Sequence, residues 1–361
     1  MTPDALERLV GAAARRASGG GDVPSADVRR SKAGSGADFV SPIPTRLAGR
    51  AGSTPERLAG RIAQALVEDP AIVAAAPTPG GFVEITLTNA ARYAVVTSAS
   101  RGWEYLSVLA PGAHDAGSPD DPAPWPRRAL EDAPSLHEAA KWARADARER
   151  LTLYCGPTGP TQVNPIHGGG SWRDPYLDEP SRGGPVADLL AVVGEAAVRI
   201  AGCVAAEPAP TATHPGVWER QIAENPAFAL RYAHAHAHTS VHSWGVGMGV
   251  VPGARPDSVE AVRLLGCPAA AHTVGVLFEG PGTVRSTHHR GRPSILVRYL
   301  EELAAAYREW TRTASAAPAP AHPPAAGGTP PRDPRLDLSL AVAGVLGTGL
   351  FLLGVPAPTE L

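Results

Sequence analysis

Apolar residues recur at helical spacing from the start of the chain: Leu6, Leu9 and Val10 of "TPDALERLVGAAARRA" fall on one face, with acids and arginines between them. This opening reads as an amphipathic helix rather than a signal peptide, which would show a basic start and an apolar run. A second helix is predicted over "STPERLAGRIAQALVED", where a capping hydroxyl, Pro55 and the early acid Glu56 form an N-terminal signature. In "GGFVEITLT" the period changes to two: Val83, Ile85 and Leu87 alternate with Phe82, Glu84 and Thr86, which predicts a strand opened by Gly80 and Gly81. From about residue 186 helical spacing returns. Helices are expected in "PVADLLAVVGEAAVRIAG", "WERQIAENPAFALRYAHAHAHTSVHSW", "DSVEAVRLLG", "ILVRYLEELAAAYREWTRTA" and "RLDLSLAVAGVLGTGLFLLGV". The fold class expected is mainly α, with a small α+β N-terminal domain and a C-terminal helical bundle.

Between these halves the pattern fails. "PGAHDAGSPDDPAPWPRR" and "IHGGGSWRDPYLDEPSRGGP" are rich in Pro and Gly, and only "SLHEAAKWARADARERL" between them looks helical. Three regions are expected: 1–95, an α+β unit; 96–185, a linker-like middle; and 186–361, the bundle. The run "APAPAHPPAAGGTPPRDP" reads as a surface loop ahead of the last helix.

Composition changes this picture little. The 361 residues include 39 glycines and 38 prolines, and the only lysines are Lys32 and Lys141. That bias fits a GC-rich genome. A net charge of −2 argues against a strongly basic nucleic-acid binder. The charge is uneven, however: residues 111–215 hold 9 basic and 14 acidic side chains, whereas 216–335 hold 12 and 9, so the C-terminal part is the more plausible face for a polyanion. Cys155, Cys203 and Cys267 are odd in number and far apart, which suggests neither a disulfide framework nor a zinc knuckle and fits a reducing cytoplasm.

Several stretches resemble arginyl-tRNA synthetases. Asn225, Pro226, Phe228, Tyr232, Ala233, His234 and Ala235 follow that family's "NPxFxxxYAHAR" helix, with His236 where the family has arginine. Val193, Gly194, Ala197, Val198 and Arg199 echo its "VGxDALR" segment, with Ala196 in place of the aspartate. "ILVRYLEELAAAYREW" and the ending "LFLLGVPAPTEL" are similar to its two closing helices. Near the start, Asp38, Phe39, Ser41 and Pro42 match its "GDYASP" turn except at Ala37, and "GGFVEI" resembles "PGFINI". The resemblance covers roughly 1–95 and 186–361. It implies two tRNA-binding ends: an anticodon-binding bundle and an N-terminal domain that meets the tRNA elbow.

In that family the strand after the N-terminal domain runs into "NPTGPLHVGH", a class I signature. Here "LTLYCGPTGPTQVNP" occupies the corresponding place, with Gln162 and Pro165 where the histidines stand. Activation of an amino acid by ATP needs donors aimed at the triphosphate as charge builds toward pyrophosphate. Glutamine is a weak substitute and proline donates nothing. The second family signature, KMSKS, needs a lysine late in the catalytic domain, and none follows Lys141. Residues 151–170 therefore read as a decayed remnant or as a surface loop with a coincidental "PTGP". "HGGG" lacks both the Gly-Lys-Ser/Thr of a P-loop and a partnering GxSxG.

For RNA, the resemblance and the stacking chemistry of unpaired bases direct attention to Arg231, Tyr232, His234, His236, Arg298, Tyr307, Arg308 and Arg312, with Phe39 and Ser41 at the N-terminal turn. The competing reading makes the tyrosines core residues and the arginines solvated. His234, His238 and His242 share one helix face, a spacing that can hold zinc, yet no acid lies between Gln221 and Arg255 except Glu224. No metal site is expected. Leu338 to Val355 is 18 residues without a charge, the lower limit for a membrane span. Its four glycines and its likeness to a buried family helix favour packing.

The combined expectation is a catalytically silent, cytoplasmic relative of arginyl-tRNA synthetase that binds tRNA and needs no cofactor. An active, ATP-dependent ligase and a repurposed protein-interaction scaffold, the latter with or without a tail anchor, are the alternatives.

Overall fold

The computed structural model describes residues 1–32, 35–107, 125–156, 186–204, 215–244, 251–314 and 332–359. The N-terminal part holds α1 (Pro3–Ala17), β1 (Arg29–Arg30), β2 (Phe39–Ser41), α2 (Ile43–Leu47), α3 (Pro55–Leu66), β3 (Ile72–Pro77) and β4 (Val83–Leu87). Hydroxyl caps start both long helices, Thr2 accepting from Ala5 N and Thr54 from Arg57 N. The strands form one antiparallel sheet in the order β1-β2-β4-β3, with Phe39 opposite Ile85 and a bulge between Ile72 and Ala74. Along β4 the expected alternation holds, with Val83, Ile85 and Leu87 buried.

The helical part begins earlier than the periodicity suggests. Helices α4 (Asn89–Ala99) and α5 (Trp103–Leu106) follow the sheet directly, and α6 (Leu136–Cys155) extends the single helix expected in the middle region. After them come α7 (Val186–Val193), α8 (Glu195–Val204), α9 (Pro215–Trp218), α10 (Pro226–Thr239), a π-helical turn (Ser240–Trp244), α11 (Val259–Gly266), α12 (Pro268–Arg290), α13 (Pro293–Ala314) and α14 (Pro334–Leu352).

Three expectations need correction. The helix over 185–202 is two, because Gly194 adopts φ +82, a left-handed conformation that ends α7. The long helix from Trp218 to Trp244 is broken as well. Asn225 caps a new start, its Oδ1 accepting from Ala227 N at 3.0 Å and Phe228 N at 3.3 Å, while its Nδ2 donates to the carbonyls of Trp218 and Arg220. Finally, α12 is a 23-residue helix where the sequence predicts none. Gly275, Gly280, Gly282 and Pro281 blur its apolar stripe, and at least one of them is there for space: a Cβ on Gly280 would lie 2.7 Å from the Tyr299 hydroxyl.

One continuous core joins sheet and bundle. The Phe39 ring packs on Phe278 of α12 at 4.0 Å between centroids, and Arg30 of β1 pairs with Glu302 of α13 and lies 3.7 Å from Glu279 of α12. The last helix, α14, is long and apolar enough to cross a membrane by length and composition. Here its glycines are contact points. A Cβ on Gly344 would lie 3.1 Å from Gly102 Cα, and one on Gly349 would lie 2.4 Å from Leu300 Cδ2. Asp337, buried on the same helix, accepts hydrogen bonds from the Tyr93 hydroxyl and from the backbone N–H of Gly253 and Ala254.

Candidate nucleic-acid interface

Two helices, α10 and α13, build a groove lined by aromatic and basic side chains. Pro226 and the Asn225 cap fix where α10 begins, which sets the angular position of every later side chain on it. Leu230, Ala233 and Ala237 then face the core, while Phe228, Tyr232 and His236 follow one another at intervals of four on an outer face. Their rings form a ladder. Phe228 and Tyr232 lie 5.6 Å apart at 30°, and Tyr232 and His236 lie 5.9 Å apart at 35°. Across the groove, α13 continues it: His236 meets Tyr307 edge-on at 5.7 Å, and Tyr307 meets Trp310 at 5.7 Å.

The groove between them has a volume of about 230 Å³ and is lined by Tyr232, Ala233, His236, Tyr307, Arg308, Thr311 and Arg312. Tyr232 is 41% exposed, whereas Tyr307 is buried and fixed by a 3.0 Å hydrogen bond between its hydroxyl and His236 Nδ1. Burial lowers the His236 imidazole below its ordinary value and raises the Tyr307 phenol, so both are neutral near pH 7 and offer hydrogen bonds rather than charge. Charge comes from the arginines. Arg312 is held by Glu309 at 2.8 Å, while Arg308 Nε is buried without a hydrogen-bond partner among the described residues. A wall of tilted rings with guanidinium groups on its rim can stack unpaired bases and hold the phosphates between them.

Five of the candidate RNA residues, Tyr232, His236, Tyr307, Arg308 and Arg312, therefore meet in one place. The others do not. Arg231, on the same helix, is half-buried and outside the lining. His234 turns inward, donating from Nδ1 to the Pro358 carbonyl at 2.7 Å, with its Nε2 against Gly347. Arg298 lies ten residues before Arg308 on α13, about 15 Å along the helix.

Phe39 and Ser41 are both buried, because the period of β2 puts positions 39 and 41 on the same inward face. Ser41 Oγ donates to the Ala26 carbonyl, and neither residue is open to a ligand in this arrangement. The neighbouring Asp38 is a pin, its Oδ2 accepting from Leu87 N at 2.8 Å and Arg92 Nε at 3.0 Å. Phe228, at the foot of the ladder, is absent from the residues that sequence reasoning selects, although its spacing of four from Tyr232 is a signal that points to it.

The histidine run stacks rather than converges. His238 and His242 lie 4.1 Å apart at 21°, and His234 and His238 lie 6.2 Å apart at 24°. Among the described residues no group of three His, Cys, Asp or Glu is arranged to hold a metal ion. Gln162 and Pro165 lie outside the described residues. Lys141 sits on the surface of α6, paired with Glu138 at 2.7 Å.

Arg199, the arginine of the "VGxDALR"-like segment, is fully buried. Its guanidinium donates to Glu195 at 2.7 Å, to Asp146 of α6 at 2.9 Å and to the Arg128 carbonyl at 2.8 Å. Asp146 is likewise fully buried and accepts in addition from Arg128 N and Arg128 Nη1. This cluster locks α8 to α6, with Arg199 and Asp146 fully enclosed.

Comparison with known proteins finds family models for the two ends of the chain, with α13 inside the second match and α10 outside it. Residues 4–87 match the family model described as "Arginyl tRNA synthetase N terminal domain", and residues 274–361 match "DALR anticodon binding domain". An arginine–tRNA ligase of Pseudarthrobacter chlorophenolicus is 31% identical over 177 residues, covering 48% of this chain and 30% of that protein. One from Clavibacter sepedonicus is 32% identical over 141 residues, covering 38% and 23%. These matches span less than a third of the relatives' length. The solved arginyl-tRNA synthetase of Thermus thermophilus has a similar fold, with a TM-score of 0.58 at 14% identity over 100% of both chains. The chain thus carries, at its two ends, domains related to those of arginyl-tRNA synthetases.

Proposed function

We propose that this protein binds the anticodon loop of a tRNA in the groove between α10 and α13 and does not itself activate an amino acid. The observation that carries the reading is the aromatic ladder Phe228–Tyr232–His236–Tyr307, closed by Arg308 and Arg312. Bases of a hairpin loop are unstacked and present their faces, which the exposed rings of Tyr232 and His236 receive without needing a particular sequence, while buried Tyr307 backs them. The relation of residues 274–361 to an anticodon-binding domain supports the same assignment.

Lack of activation rests on the chain's chemistry. Gln162 and Pro165 replace the histidines of the resembling signature, and no lysine follows Lys141. Without such donors the charge that builds on the departing diphosphate has no counterpart on these residues. Two assays on the full chain test the two halves of the reading. Fluorescence anisotropy with labelled tRNA should give saturable binding that weakens steeply with salt. Arginine-dependent exchange of pyrophosphate into ATP should stay at background. Absent or salt-independent binding contradicts the first half, and clear exchange contradicts the second.

A further inference from the structure

We propose that the corner where α12 turns into α13, together with the adjoining side of α6, is a second RNA contact that grips the phosphate backbone outside the loop. The inference rests on the groove reading above, and it concerns Arg144, Arg148, His289, Arg290, Arg292 and Arg298. From Glu279 to Glu301 the chain contains four arginines and two histidines and no intervening acid. Gly291, at φ +59, reverses the chain between the helices and sets Arg290 and Arg292 on either side of the turn. Helix α6 adds to them. Arg148 Nε donates to the Gly291 carbonyl at 2.7 Å, and Arg144, one turn earlier, donates to the Gly202 carbonyl at 2.7 Å. Both acceptors are neutral, so they orient the guanidinium groups without cancelling their charge.

A helix C-terminus attracts cations, which accounts for His288, His289 and Arg290 in the last turn of α12. It does not account for Arg144, Arg148 or Arg298, which belong to other helices. Burial lowers the pKa of Arg144 below its ordinary value, opposed by Cys203 and aided to a smaller extent by Arg148 one turn along α6. Arg148, His289, Arg290, Arg292 and Arg298 are all exposed. A polyanion laid over them releases small ions as its phosphates are neutralised.

Position identifies which polyanion. Arg298 and Arg312 lie on the same outer side of α13, with Glu301 beside Arg298 and Glu309 paired with Arg312, so this helix connects the corner to the rim of the groove without forming an unbroken cationic stripe. From Arg298 to Arg312 it spans about 21 Å, farther than one nucleotide reaches. An RNA whose loop fills the groove brings its flanking backbone along this helix to the corner.

The test compares two RNAs on the full chain: a tRNA transcript and a single-stranded heptanucleotide of its loop sequence. The triple variant Arg290→Gln/Arg292→Gln/Arg298→Gln removes exposed charge, and its melting temperature is measured beside that of the wild type so that binding is compared on folded protein. It should bind the transcript more weakly, with a salt slope flatter by about 0.7–0.9 for each phosphate that is no longer neutralised, and bind the heptanucleotide unchanged. Unchanged affinity and slope for the transcript overturn the proposal, as does equal weakening for both RNAs. Tyr232→Ala separates the two readings. If it leaves both RNAs bound while the triple variant releases the transcript, the corner stands and the groove fails. Absence of binding by the wild type overturns both.

Discussion

Arg199 on α8 and the pair Arg308 and Arg312 on α13 place the same side chain in opposite settings. Arg199 is fully buried, and its donors are taken by a glutamate, an aspartate and a carbonyl. Arg308 and Arg312 stand on the rim of an open groove beside exposed Tyr232, with Arg308 Nε left without a partner among the described residues. The first arrangement is complete without a ligand, whereas in the second Arg312 is paired with Glu309 and Arg308 Nε is not paired. An arginine within a recognisable motif can therefore be scaffold.

The comparison can be broken by mutation. Arg199→Ala takes one of two guanidinium groups from buried Asp146, leaving Arg128, and should cost up to about 3 kcal/mol of stability, seen as a lower denaturation midpoint. Little change there would show the cluster to be dispensable. Tyr232→Ala should leave the midpoint unchanged and weaken RNA binding by about 1–3 kcal/mol, the usual worth of one stacked base. Arg308→Gln with Arg312→Gln should flatten the salt dependence of RNA binding by about 0.7–0.9 for each phosphate these arginines neutralise, again without unfolding.

The smallest effect concerns pH. Burial holds the His234 imidazole below its ordinary value, so the unfolded chain takes up a proton first as the pH falls through about 6.5. Stability present at neutral pH is then lost on acidification. Melting temperatures between pH 7.5 and 5.5 should fall more steeply for the wild type than for His234→Gln, and parallel curves would remove His234 from the account.

Much of the fold is legible in the residues because short-range rules act strongly there. The capping threonines, the period-2 strand at 83–87 and the stripes of α1 and α3 announce themselves. The helix α12 does not, since Gly280 is set by its close approach to Tyr299, a neighbour almost twenty residues away in the chain. Site residues divide in the same way. Aromatic spacing on α10 and basic residues on α13 are visible, but that His234 faces Pro358 and Gly347, and that Phe39 packs on Phe278, depend on partners far along the chain. Chemistry-bearing residue types can be read from the sequence, whereas the direction each one faces follows from tertiary packing.

Nuclease or chemical protection of a tRNA bound to the full chain tests the groove most directly. The account predicts that the anticodon-loop bases are shielded by the wild type and reopened by Tyr232→Ala at concentrations that still saturate binding. A loop that stays reactive in the wild-type complex, with shielding confined to other parts of the tRNA, would contradict it.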